Sequence, residues 1–203
     1  MTSPNNLHAD FSISLHRELK EKYLHQRAQV IWLTGLSGAG KTTLAKGLEK
    51  ELFTLGFFTQ LLDGDNIRTG INNNLGFSDQ DRLENIRRIA EVSKLFLHGG
   101  IITINSFISP TEEIRRLAKT IIGADDFIEI YVNASLEVCE KRDVKGLYSK
   151  ARRGEIKEFT GIDAPFEIPA EADVEVLTEL ESVAESVHKV MQFILPRIAL
   201  PLT

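Results

Sequence analysis

One eight-residue loop restricts this chain more than any other feature. "GLSGAGKT", residues 35–42, matches G-x-x-x-x-G-K-[ST] in full. It follows the continuous apolar run "VIWLT" (30–34), which reads as a strand buried on both faces. It opens a helix expected from Lys41 to about Leu55, closed by Gly56. A strand, a glycine loop and a helix in that order place backbone N–H groups and a positive helix end around an anion. Bulky side chains would block the backbone's approach, so the contact itself calls for glycine. Gly35, Leu36, Ser37, Gly38, Ala39, Gly40 and Thr43 therefore make a candidate cradle for the phosphates of ATP. Lys41 would bring charge to the β- and γ-phosphates, and the Thr42 hydroxyl is a candidate ligand for Mg2+.

The rest of the chain alternates in the same way. "FFTQLLD" (57–63), "IITINSFI" (101–108), "DFIEIYVN" (126–133) and "DVEVLT" (173–178) read as four more strands. Ser78 can cap a long helix, with Asp81 at its third position and Leu83, Ile86, Ile89, Val92 and Leu95 as its apolar stripe, ended by Gly99 and Gly100. "PTEEIRRLAKTII" (110–122), "SLEVCEKRD" (135–143) and Leu180 to Leu195 complete the helices. This order predicts an α/β, three-layer sandwich around a mostly parallel five-stranded sheet, with ligands at the carboxyl ends of the strands. Ahead of it, residues 1–13 read as a polar tail, and residues 14–29 as a short helix with Leu15, Leu19 and Leu24 on roughly one side. The division is thus a tail and short helix over 1–29 and one α/β domain carrying the phosphate loop over 30–200. Residues 141–169, "KRDVKGLYSKARRGEIKEFTGIDAPFEIP", have no period and exceed an ordinary connection, so they are either disordered or an active-site flap. Lysines and arginines crowd their first half in a chain of net charge −5, which favours a mobile flap.

That acidic balance also argues against nucleic acid as a partner. The 203 residues, 42% hydrophobic and 26% charged, suffice for one domain with a real core. Cys139 is the only cysteine, which excludes an internal disulfide and a cysteine-rich metal site; it reads as a small buried hydrophobe. No run approaches the roughly 20 apolar residues of a membrane span, and the N-terminus lacks a signal pattern, so no membrane is expected and the cytoplasm is the default compartment. A GTPase switch would need N-K-x-D after a later strand, and that motif is absent. A small-molecule kinase fits the length better than a large motor ATPase.

The acceptor side is read from "LLDGDNIRTG" (61–70). Asp63 ends a strand beside the phosphate cradle, where a carboxylate could orient an acceptor hydroxyl and take its proton. Asp65 could act through water on Mg2+, or cap a short helix begun at Asn66. Arg68, Arg82 and Asn85 offer donors suited to phosphate or sulfate oxygens. Arg82 and Asn85, three apart, share a helix face distinct from the apolar stripe. Of Arg87 and Arg88, at least one reads as solvated surface. Phe77 and Phe159, close to arginines on turn or flap segments, could stack on a flat base, with core packing as the alternative.

Taken together, "IWLTGLSGAGKTTLA", "LLDGDNIRTGIN", "LGFSDQDRLENIRRIAEVSKLF", "SFISP" and "VCEKRDVKGLYSKARRGEIKEFTGIDAPFEIP" resemble the adenylyl-sulfate kinase family over about residues 30–170. The resemblance implies transfer of the ATP γ-phosphate to the ribose 3′-hydroxyl of adenosine 5′-phosphosulfate, for sulfate assimilation, by a homodimer. It implies Asp63 as base, Arg68, Arg82 and Asn85 as ligands of the acceptor, and Phe77 and Phe159 as an adenine sandwich. It further implies backbone contacts from Ile108 and Ser109, approach of Lys145 to the phosphates, and Arg142 as a wall for the ATP adenine. The serine of "FISP" is often described in this family as a phosphoserine intermediate. The residues themselves suggest Ser109 as an N-cap, with Pro110 first in the helix and Glu112 closing a capping box. Departures from the family pattern are Thr69 for histidine, Thr111 for tyrosine, Glu158 for glycine, and no charged residue just before Leu75. Two other readings stay open: a kinase for a different small alcohol, against which the paired phenylalanines weigh, and a nucleotide-binding module without turnover, against which Lys41, Thr42 and Asp63 weigh.

Overall fold

The computed structural model describes residues 15–200, so the tail expected over residues 1–13 lies outside the described residues. The elements run α1 (Arg17–Leu24), β1 (Val30–Thr34), α2 (Lys41–Thr54), β2 (Thr59–Asp63), α3 (Gly64–Thr69), α4 (Asp79–His98), β3 (Ile102–Ser106) and α5 (Glu112–Ile122). A 3-10 turn at Ala124–Asp126 then leads to β4 (Phe127–Asn133), α6 (Leu136–Arg142), α7 (Leu147–Arg152), β5 (Val174–Leu177) and α8 (Val183–Ile198). The five strands form one sheet in the order β2-β3-β1-β4-β5, and every neighbouring pair is parallel.

Alternation along the strands explains the layers. In β1, Ile31 and Leu33 join Leu44, Leu48 and Leu52 of α2 and Val190, Met191 and Ile194 of α8 on one face. Val30 and Trp32 point the other way, into Ile86, Ile89 and Ala90 of α4 and Ile114 and Ala118 of α5. All five β1 residues are buried, because both faces of a central parallel strand are covered by helices. Trp32 is fully buried and its ring lies 5.7 Å from those of both Phe107 and Phe127. Burial of each such side chain contributes roughly 1.5–3 kcal/mol. Among the described residues no helix is long and apolar enough to cross a membrane.

Several boundaries differ from the sequence reading for identifiable reasons. The closing helix starts at Val183 rather than Leu180, because Ser182 and Glu185 form a reciprocal capping box there. It also runs past Pro196 to Ile198, since the fully buried Ile198 anchors the last turn in the core. The stripe on α4 holds except at Leu95, which is 68% exposed. On α1 the expected apolar side is not the main docking side: Leu15 and Leu19 are exposed, Leu24 is half-buried and Glu21 is buried. Ions fasten this helix instead. Arg17 donates to Glu21 and Asp126 and to the carbonyl of Ala28, at 2.7–2.8 Å. Residues 141–169 are not uniformly irregular either, because Arg142 closes α6 and α7 occupies Leu147–Arg152.

Candidate active site

The carboxyl ends of β1, β2 and β3 open into a cavity of about 770 Å³. Gly35 turns the chain out of β1 at φ +150°, and a Cβ built there would sit 2.4 Å from the Val132 carbonyl oxygen. Only glycine fits so close an approach. Ser37, Gly38, Gly40, Lys41, Thr42 and Thr43 line the cavity. Gly35, Leu36 and Ala39 support the loop from behind: the carbonyls of Gly35 and Leu36 accept from Lys41 Nζ at 2.9 and 2.7 Å, and that of Ala39 accepts from the Thr178 hydroxyl at 2.7 Å. Lys41 is thus a buried cation. Burial, with Lys145 adding repulsion, pushes its ammonium down to about 8, against the smaller opposing pull of Cys139, Asp63 and Asp65.

Asp63 faces this loop. Its Oδ2 accepts from the Thr42 hydroxyl at 2.7 Å, and its Oδ1 accepts from the Asp65 N–H at 3.1 Å. The carboxylate is therefore the N-cap of α3, which begins at Gly64; the capping role considered for Asp65 at Asn66 belongs to Asp63. Asp65 instead pairs with Lys145 across the cavity mouth. The acceptor-side candidates all line the same cavity: Arg68, Phe77, Arg82, Asn85, Ile108, Ser109, Lys145 and Phe159. The Arg68 guanidinium lies 4.5 Å from the Phe77 ring centre, a cation on the ring face. Arg82 donates to the Phe77 carbonyl at 2.8 Å and, from α4, reaches the segment after α7 at Thr160 Oγ1 and the Glu158 carbonyl. Phe159 meets Tyr148 edge-on at 5.0 Å.

The family model for adenylylsulphate kinase matches residues 27–177. The chain belongs to the adenylylsulphate kinase family. An adenylyl-sulfate kinase of Bacteroides fragilis is 58% identical over 199 residues, 98% of each chain. The structure of Mycobacterium tuberculosis APS kinase in complex with AMPPNP and APS superposes with a TM-score of 0.80 at 42% identity, covering 83% of this chain and 98% of that one. A hexameric APS kinase from Thiobacillus denitrificans gives 0.64 at 27% identity, over 85% of this chain and 30% of that one.

Within this adenylylsulphate kinase fold, two sequence readings need correction. Ser109 does not cap α5. Thr111 does, accepting from Ile114 N–H, and Glu112 donates its N–H to Glu167 instead of closing a box. Ser109 sits at φ +45° with both oxygens engaged: its hydroxyl accepts from the Trp32 indole at 2.9 Å and its carbonyl from Arg115 at 3.1 Å. The Ile108 carbonyl likewise accepts from the Thr34 hydroxyl and the Gly35 N–H.

Arg142 projects from α6 onto the phosphate loop, donating to Thr178 and to the carbonyls of Gly38 and Ala39. Thr178, just beyond β5, was missed as a site residue although it lies at a strand's carboxyl end, the place where such sheets bind ligands. Ser106, Tyr148 and Thr160 also line the cavity without having been singled out. Ser106 ends β3 and was legible by the same rule. Tyr148 and Thr160 lie in the aperiodic segment, where only tertiary contacts choose between surface and site.

Proposed function

We propose that this chain catalyses ATP-dependent phosphorylation of adenosine 5′-phosphosulfate at its ribose 3′-hydroxyl. The single observation that carries the reading is the contact of Asp63 with Thr42, which puts the strand-end carboxylate against the phosphate-loop hydroxyl at 2.7 Å. One reaction centre then lies between a triphosphate cradle and a pocket lined by Arg68, Phe77, Arg82, Asn85 and Phe159. Asp63 orients the acceptor hydroxyl and receives its proton as the new P–O bond forms. Lys41, behind the loop, neutralises charge gathering on the transferred group. Arg68 and Arg82 hold the phosphosulfate, and the rings of Phe77 and Phe159 take the adenine. Lys145 and Asp65 close the mouth. Ser109, whose hydroxyl accepts from the Trp32 indole, positions the acceptor rather than carrying phosphate, since direct in-line transfer needs no covalent step.

Hard oxygen donors at Thr42, Asp63 and Ser106 suit Mg2+, with Thr42 as the proposed direct ligand. Among the described residues no cluster of three or more His, Cys, Asp or Glu could hold a metal by itself. An ion held by one or two side chains plus phosphate oxygens fits that sparse set, and would supply charge neutralisation at the phosphates. A homodimer is also part of the proposal, checked by the mass measured in light scattering after gel filtration.

The test is ADP release by purified protein. Release should require added adenosine 5′-phosphosulfate, and Asp63→Asn should lower kcat by about 10²- to 10⁴-fold, the usual worth of a general base. ADP release that ignores this acceptor, or an Asp63→Asn enzyme near wild-type rate, would refute the assignment.

A further inference from the structure

The α4 wall of the cavity contains a hydrogen-bond relay whose direction is fixed by its first member. Arg88 is held by Glu84, whose Oε1 accepts from its Nε at 2.8 Å. Its Nη1 donates to Asn74 Oδ1 at 2.9 Å and to the Ile71 carbonyl at 3.2 Å, and it faces Asn72 Oδ1 at 3.4 Å. A guanidinium has donors and no acceptor. The reversed Asn72 amide would set N–H against N–H, so Asn72 turns its oxygen toward Arg88 and its nitrogen away. That nitrogen lies 2.9 Å from the side-chain oxygen of Asn85. Asn85 must therefore accept from Asn72, which leaves its own Nδ2 as the group offered elsewhere. Asn72 is fully buried and Asn85 is 5% exposed, so neither can exchange this partner cheaply for water. Asn85 lines the cavity beside Arg82 and Arg68.

We propose that Asn72 is a positioning residue: ordered by Arg88, it locks the Asn85 amide so that the acceptor meets an N–H donor and never the amide oxygen. This deepens the reading of the cavity as an acceptor pocket, and rests on it. An amide oxygen aimed at phosphate, sulfate or ribose lone pairs would repel them, whereas the N–H binds them. The relay thus converts an amide of either polarity into part of an anion-selective wall, alongside two guanidinium groups.

Asn72→Asp tests polarity with little change of shape. The carboxylate still pairs with Arg88 but offers Asn85 only an acceptor, so the Asn85 amide must turn over and show its oxygen to the cavity. We expect the KM for adenosine 5′-phosphosulfate to rise about 10- to 100-fold, with the KM for ATP within about twofold of wild type. In an Asn85→Ala background the same substitution should add little. An equal penalty in that background, or a parallel rise in both KM values with a lowered Tm, would overturn the proposal in favour of a packing role. Should Asn72→Asp fail to fold, Arg88→Gln and Arg88→Lys decide. Glutamine can face Asn72 with either polarity and should raise the acceptor KM, whereas lysine, again donor-only, should restore it. Equal behaviour of the two overturns the relay. A wild-type enzyme that ignores the acceptor refutes the pocket assignment and the relay together; a wild type that turns it over while Asn72→Asp matches it refutes the relay alone.

Discussion

Lys41 shows how one side chain combines loop geometry with chemistry. A flexible lysine on a loop would be expected to face solvent, yet this one lies under the loop and donates to the carbonyls of Gly35 and Leu36. Burial lowers its ammonium to about 8, so the free protein loses that proton as pH rises through 8, while bound phosphates favour the charged form. Nucleotide binding should consequently take up a proton above pH 8 and weaken as pH climbs, by at most about tenfold per unit. Calorimetry of ATP binding at pH 8.5 in buffers of different ionisation enthalpy would read the uptake, and the same binding heat in every buffer would contradict it. Asp63 is likewise doubly used, as cap of α3 and as the carboxylate nearest the loop hydroxyl. A capped carboxylate has little rotational freedom, which suits the proposed role of meeting one acceptor hydroxyl.

Among the elements, the basic segment after β4 is the most instructive. It reads as aperiodic because its bonds are either tight local turns or contacts to other elements, and neither leaves a helical or strand period. Arg82 of α4 grips it at Thr160 and Glu158, and Asp163 accepts the N–H groups of Glu158 and Phe159. Glu158 adopts φ +56°, a region that favours glycine, and it stands where the family usually has glycine. The left-handed backbone costs a non-glycine residue about 1–2 kcal/mol, partly offset by the lower chain entropy of glutamate in the unfolded state. Glu158→Gly should therefore raise Tm by about 1–3 °C in a chain of this size. A drop in Tm on thermal melting would mean that the Glu158 side chain contributes more than its backbone strain costs. The start of α5 follows a similar logic. Ser109 has the residue type of a cap and a suitable spacing, but the Trp32 indole and Arg115 claim its oxygens, and capping passes two residues on to Thr111.

At the scale of the molecule, the five-stranded sheet lines up one edge of polar strand ends, and α1 closes its opposite side through charge. The Arg17 guanidinium bridges Asp126 in a two-pronged pair, with side chains 21% and 23% exposed, and also holds Glu21 and the Ala28 carbonyl. Arg17→Ala would leave two carboxylates partly buried without their cation and should cost about 2–3 kcal/mol, less than a fully buried pair. Urea denaturation measures it, and a midpoint equal to wild type would show that α1 is not held by this network. The sequence alone determined the strand–loop–helix cradle and the alternation that makes the sheet parallel, because each rests on local periodicity or a fixed spacing; Ile108, Arg142 and Lys145 came into view only through the family resemblance. Only the tertiary structure decided which way α1 docks, which residue caps α5, where the aperiodic segment lies, and how Asn72 orients Asn85. Those outcomes depend on partners distant in the chain, and local sequence does not say which of several competent donors and acceptors will meet once the sheet has folded.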